Sequence, residues 1–139
     1  MKASVKWVED MTFMGETGSG HAMIIDGPPD HGGHNRGMRP MELLLLGMAG
    51  CTAVDVIAML RKGRQQVADC VVDIAAERAD SVPKVFTRIH AHYRISGHAL
   101  KESQVRRAVE LSAEKYCSAS VMLGKTAEIS HDFEIIETG

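Results

Sequence analysis

Aromatic residues are scarce: one Trp, two Tyr and three Phe make up 4% of 139 residues. So few π-faces exclude a base-stacking platform for single-stranded nucleic acid. An excess of charge is also lacking, with 16 Lys and Arg against 18 Asp and Glu. That balance leaves no basic footprint for DNA or RNA. The start, Met1-Lys2-Ala3-Ser4-Val5-Lys6-Trp7, has no apolar h-region and reads as a strand, so no signal peptide is expected. The longest uncharged apolar run covers Leu43 to Val54 and stops at Asp55. Its twelve residues fall short of the ~20 needed to span a bilayer. A buried helix is expected there, with no membrane partner. Only three cysteines occur, Cys51, Cys70 and Cys117, with no CxxC motif. Without a secretion signal they imply a reducing, cytoplasmic compartment, where thiols stay free unless they have redox or metal work.

What is present fits a single domain over residues 1–139. A chain of this length buries about 70% of its unfolded surface and needs no disulfide or structural metal to fold. Ala3, Val5 and Trp7 alternate with polar residues, as in a half-buried strand. Phe13-Met14-Gly15 and Gly18-Ser19-Gly20 read as turns, His21 to Asp26 as a second strand, and Pro28 to Asn35 as a loop. Pro40 suits a helix start, and Met41 to Lys62 is helical and apolar nearly all round, up to Gly63. Such a helix must be covered on most sides. Gly47 and Gly50 would permit close approach of another backbone, which hints at a dimer with this helix at its centre. Val67–Glu77 and Val85–Ile95 alternate as two strands joined by Ser81-Val82-Pro83-Lys84. In the first, Cys70, Val72, Ile74 and Ala76 share a face. In the second, Val85, Thr87, Ile89, Ala91, Tyr93 and Ile95 face one side, and Phe86, Arg88, His90, His92 and Arg94 the other. Lys101 to Tyr116 reads as an amphipathic helix with Val105, Ala108, Val109 and Ser112 on its stripe. Ser118 could cap a short helix to Leu123, and Ala127 to Ile136 closes the chain as a strand. The order gives an α+β class built on mainly antiparallel sheets.

Taken singly, Cys51 within the apolar helix and Cys70 beside Val72 read as small hydrophobes. Cys117 is more suggestive, because backbone N–H groups at a helix start stabilise a thiolate. Cys51 and Cys117 are 66 residues apart, so only the fold can bring them together.

Three segments now carry a resemblance. Arg39-Pro40-Met41-Glu42-Leu43-Leu44-Leu45-Leu46-Gly47-Met48-Ala49-Gly50-Cys51 resembles the Pro-x-Glu-Leu…Ala-x-Cys helix of the OsmC/Ohr family of peroxide-handling thiol proteins. Glu114-Lys115-Tyr116-Cys117-Ser118 resembles that family's second cysteine site, and the strand pair with Pro83 and Gly97 matches in order and spacing. Gly20-His21 and Glu114 to Cys117 look closest to the YhfA-like branch. The resemblance implies an intertwined homodimer with long central helices packed between the sheets, and Cys51 and Cys117 approaching each other. It implies a thiol-dependent peroxidase in which Cys51 attacks a hydroperoxide, Cys117 resolves the sulfenic acid as an internal disulfide, and a small dithiol or lipoyl-type group reduces it. No cofactor or metal is implied. In the Ohr branch a glutamate ten residues before the first cysteine and an arginine from an early hairpin organise the thiolate. Here Met41 holds the glutamate position, with Glu42 beside it about 100° around the helix. No Lys or Arg lies between Trp7 and Asn35, which leaves Arg36 or Arg39 as substitutes, Arg39 first.

Other candidates weigh less. His31 and His34 in Asp30-His31-Gly32-Gly33-His34 are an incomplete zinc set, read as a solvated loop before a metal or substrate loop. His90 and His92 with Arg88 and Arg94 read as a hydrated sheet face against an anion site, and His131, between Ile129 and Phe133, as a core histidine against a base. Glu42 is equally a helix-start charge or a site residue. The nine methionines, Met41, Met48, Met59 and Met122 among them, read as fillers of core gaps, against the lining of an apolar substrate pocket. Two rivals remain: a non-catalytic binding protein for an apolar or thiol-reactive small molecule, and a structural dimer with inert thiols.

Overall fold

The alternating start of the chain forms β1 (Ala3–Glu9), which pairs antiparallel with β2 (Thr12–Thr17), but all seven of its residues are exposed where a half-buried strand was expected. β2 pairs in turn with β3 (Ala22–Ile25), giving a three-stranded sheet in the order β1-β2-β3. Phe13, Met14 and Gly15 were expected at a turn and instead lie inside β2, where Phe13 sits between Trp7 and Ile25. The chain reverses earlier, at Asp10, in the left-handed region at φ 47°, which aspartate tolerates better than most residues. The indole N–H of Trp7 donates to the Asp10 carbonyl at 2.8 Å and closes that turn.

A computed structural model describes all of residues 1–139, and its contacts divide the chain into two compact units, Met1–Leu46 and Gly47–Gly139. In the first, the expected loop is organised by Asp26, a buried carboxylate. It accepts from the backbone N–H groups of Gly27 (2.7 Å), His34 (3.2 Å) and Arg36 (3.2 Å) and from the Thr12 hydroxyl (3.1 Å). Burial works to raise its pKa, but these donors outweigh it and hold the carboxyl below the ordinary carboxylate value.

The helix α1 (Pro40–Lys62) begins at the proline, as expected. At 23 residues it is long and apolar enough to cross a bilayer by length and composition, beyond the twelve-residue run alone. Its polar interior residue Thr52 is bonded to the sheet of the second unit, which ties one face of α1 to the core, but the helix is less buried than expected. Its buried residues Met48, Thr52, Val56 and Leu60 form one row at four-residue spacing, the neighbours that helical geometry stacks along a single face. The helix ends before Gly63. The left-handed residue is Arg64 (φ 58°), and a Cβ at 63 would press only on the movable end of the Gln104 side chain, at 2.6 Å.

The second sheet has the order β4-β5-β6. β4 (Gln66–Arg78) runs antiparallel to the central β5 (Phe86–His98), and β6 (Glu128–Glu137) runs parallel to β5. β5 buries Ile89, Ala91, Tyr93 and Ile95 on one face, as its alternation predicts. Phe86, expected on the polar face, is buried too. The register passes from Glu77↔Arg88 to Arg78↔Phe86, so Thr87 is an extra residue whose bulge reverses the face of what precedes it. α2 (Glu102–Leu111) is shorter than the helix expected to Tyr116; it continues as a π-helical turn (Ser112–Tyr116) before α3 (Ser118–Leu123). The core of this unit combines the α1 row with β5, Val105, Ala108 and Val109 of α2, and Cys117.

Candidate active site

Cys51 and Asp55 lie one helical turn apart on α1, beside the fully buried row, and both are half-buried. Cys117 arrives by a different route. The π turn closes with the Cys117 N–H donating to Ser112 O at 2.8 Å, and the backbone then extends (φ −75°, ψ 100°) before α3 begins. Cys117, rather than Ser118, is the cap of α3: the Ser120 N–H donates to its Sγ at 3.4 Å, and its thiol donates to Met48 O at 3.8 Å.

The fold thereby joins what the sequence holds 66 residues apart. Cys51 Sγ, Cys117 Sγ and a carboxylate oxygen of Asp55 all lie within 4.8 Å of one another. Cys117 has no solvent exposure. Burial pushes its thiol pKa up, the Ser120 hydrogen bonds oppose that, and the neighbouring Cys51 adds to the rise. Cys117 is therefore held as a thiol at neutral pH.

A buried hydroxyl chain stands behind this cluster. Thr52 Oγ1 is 2.7 Å from Tyr93 Oη and 2.7 Å from Ser112 Oγ, and Ser112 Oγ donates to Asp55 Oδ2 at 3.0 Å. Burial raises the Tyr93 pKa, so its phenol stays protonated. Thr52, Asp55, Tyr93 and Ser112 were not among the expected site residues. A signal existed for the first two, the only polar side chains between Leu43 and Leu60. None marked Tyr93 or Ser112, which sit on ordinary apolar stripes.

Arg39 and Glu42 belong to the first unit, where their bonds are local. Glu42 Oε1 accepts from the Arg39 N–H at 2.8 Å, the back-reaching half of a capping box at the start of α1. The Arg39 guanidinium donates to Asn35 Oδ1 (3.0 Å) and Gly37 O (3.1 Å).

The remaining candidates are paired separately. His31 lies 3.8 Å from Asp30, and His34 Nε2 lies 2.7 Å from Asp10. His90 and His92 share Asp132, each at 2.8 Å, and His92 reaches Glu134 at 3.2 Å, forming a ladder across β5 and β6. His131 is half-buried and 4.0 Å from Glu114. Cys70 is half-buried; burial and then Asp69 raise its pKa, which suits an inert filler. A cleft of about 610 Å³ opens beside α1 and α2, lined by Asp55, Met59, Lys62, Arg107, Leu111 and Tyr116 among others.

The sequence model of the family described as OsmC-like protein matches residues 33–132. Protein YhfA of Escherichia coli is 46% identical over 136 residues, 98% of each chain. Among solved structures, a hypothetical protein from Aquifex aeolicus superposes with TM-score 0.87 at 28% identity, over 99% of this chain and 97% of that one. An organic hydroperoxide resistance protein from Legionella pneumophila has the same fold, with TM-score 0.70 at 15% identity over 96% and 95%.

Proposed function

Because the chain belongs to the family of OsmC-like proteins, we propose that it is a thiol-dependent peroxidase that reduces organic hydroperoxides with Cys51 and Cys117. The observation that carries this reading is the approach of the two sulfurs to within 4.8 Å. Half-buried Cys51 is the sulfur a peroxide can reach, whereas Cys117 is shielded.

The Cys51 thiolate attacks the outer oxygen of ROOH. The O–O bond breaks, RO⁻ leaves and takes a proton as ROH, and Cys51 becomes a sulfenic acid. The Cys117 sulfur then attacks Cys51, the S–OH bond breaks, and the hydroxyl leaves with the Cys117 proton as water. The disulfide forms as the sulfurs close to ~2.05 Å. A dithiol or lipoyl-type reductant returns both thiols and becomes a disulfide itself. Arg39 and Glu42 enter this proposal from the family resemblance alone, as substitutes for the arginine and glutamate that organise the thiolate in the Ohr branch. No resident metal or cofactor enters these steps.

The working form is proposed to be a cytoplasmic homodimer. On α1, Leu44 and Leu46 are about half exposed and Val54 is 70% exposed. Nothing lies within 4 Å of where a Cβ would stand at Gly47 or Gly50. A helix this apolar needs a second surface to cover it, and a second copy supplies one.

The test is titration of the reduced protein with cumene hydroperoxide and hydrogen peroxide in parallel, counting thiols and mapping the linkage by mass. Loss of two thiols with a Cys51–Cys117 bond, faster with the organic peroxide, is expected. Both thiols remaining free would overturn the reading. The cleft beside Asp55 favours a second reading, a small-molecule binding protein. That reading predicts ligand-dependent stabilisation without turnover, lost when the cleft is filled by Ala58→Phe.

A further inference from the structure

We infer that the reduced cluster of Cys51, Asp55 and Cys117 binds a thiophilic divalent cation, zinc in particular, and that the cation and a hydroperoxide compete for the same two thiols. Only the competition rests on the peroxidase reading; the site stands on its own geometry. Two cysteine sulfurs and one carboxylate oxygen converge within 4.8 Å. Zinc holds sulfur at ~2.3 Å and carboxylate oxygen at ~2.0–2.2 Å in a tetrahedral set, so two bound sulfurs stand about 3.8 Å apart. The ligand atoms need to close by no more than about an ångström, within the reach of side-chain torsions. Two of them come from one helical turn, Cys51 and Asp55, and the third from the rigid junction of the π turn and α3.

The donor set selects the metal. Two thiolates favour zinc over magnesium or calcium, which take oxygen ligands. The surroundings suit coordination as well. Ser112 Oγ donates to Asp55 Oδ2 at 3.0 Å, which orients the carboxylate and leaves Oδ1 free to coordinate. Ser112 is itself fixed by Thr52 at 2.7 Å, and the Ser120 N–H supports the Cys117 sulfur. Outer partners of this kind hold ligands in place and tune their basicity. Asp55 forms no ion pair with a basic side chain. Three acids this close repel one another when ionised, and a divalent cation is the species that relieves the repulsion. Binding displaces two thiol protons: two R–SH and M²⁺ give M(SR)₂ and two H⁺, with no change of oxidation state. Asp55 also lines the 610 Å³ cleft, so water or a small ligand can take the fourth position. A Cys51–Cys117 disulfide leaves no thiolates to bind, so oxidation expels the metal.

The reduced full-length protein, freed of metal with a chelator, is titrated with Co²⁺ under argon and then with Zn²⁺. One Co²⁺ per chain with thiolate-to-cobalt charge-transfer absorption, displaced by Zn²⁺, is the expected result. Asp55→Ala should weaken binding at least tenfold, and Cys51→Ser or Cys117→Ser should abolish the band, while Cys70→Ser keeps it. Zinc-loaded protein should lose its thiols to cumene hydroperoxide at least tenfold more slowly than metal-free protein. Absence of the band in the folded wild type, or a band that survives in both single-serine variants, overturns the metal site. Equal oxidation rates with and without zinc overturn the competition. Disulfide formation in metal-free protein is scored separately, so failure of the metal site and failure of the peroxidase reading give different results.

Discussion

Thr52→Val should destabilise the protein by about 2 kcal/mol, and the loss should shrink by about half or more in a variant that also lacks the Tyr93 hydroxyl. Valine keeps the shape of threonine and removes only the hydroxyl. Thr52 is wholly buried, Tyr93 is 1% exposed, and the two oxygens are 2.7 Å apart. Every buried side-chain nitrogen and oxygen in the chain has a hydrogen-bond partner. Removing the Thr52 hydroxyl leaves the Tyr93 phenol without one, and a stranded buried group costs about 1–3 kcal/mol. Ser112 loses one bond but keeps its donation to Asp55, so its share is small. An unfolding entropy of about 0.3 kcal/mol/K for a chain of this length turns 2 kcal/mol into a Tm decrease of roughly 7 °C. Tyr93→Phe alone should cost about 1 kcal/mol, since Thr52 still has Ser112. The double variant should cost no more than Thr52→Val alone, a coupling of about 1–2 kcal/mol. Urea melts of the four reduced proteins at one protomer concentration measure this, because any dimer makes stability concentration-dependent. Effects that add to within about 0.5 kcal/mol would show that the two hydroxyls are not coupled and that the chain holding Asp55 is not a unit.

Further expectations follow from the same structure. In Cys117→Ser, peroxide should carry Cys51 past the sulfenic acid to the sulfinic acid, seen as the gain of two oxygen atoms by intact mass; a stable unoxidised thiol would count against Cys51 as the nucleophile. Val54→Lys places a charge on an exposed face of α1, so the chain should stay folded by circular dichroism while its apparent mass in size-exclusion chromatography halves; an unchanged elution volume removes α1 from the proposed dimer interface. The sheet ladder has a signed pH response. Hydrogen bonds donated to Asp132 and then to Glu134 raise the His92 pKa above its ordinary 6.5. Its stabilising share is full below that value and is lost as pH rises through the folded pKa. Hydrogen bonds from His92 and then His90 lower the Asp132 pKa below 3.8, so its share is present above that value and lost as pH falls through the folded one. The ladder is strongest between the two, and NMR titration should show His92 above the ordinary histidine value, an upward shift that Asp132→Asn reduces.

Much of the fold was legible because hydrophobic period is a local property. The α1 helix, the paired strands β4 and β5, the amphipathic α2 and the closing β6 each follow from which residues recur every two or every three to four positions. The errors fell where one residue changes the phase. Thr87 as a bulge turned Phe86 inward, and the π turn at Ser112–Tyr116 ended α2 early; neither leaves a compositional mark. The early hairpin was misjudged because Gly15, a turn residue by habit, sits in β2, while the reversal uses Asp10.

By itself the sequence determined the α+β class, the apolar helix carrying Cys51, the second cysteine at a helix junction, and the resemblance that names the family. Only the tertiary structure decided that Cys51, Asp55 and Cys117 meet within 4.8 Å, that Cys117 rather than Ser118 caps α3, and that Thr52, Tyr93 and Ser112 form the buried chain behind them. The reason is physical. Secondary structure is written in neighbours, but a thiol pair closed across 66 residues depends on the packing of α1 against β5 and on the exact length of the π turn, quantities to which every intervening residue contributes and which no short window contains.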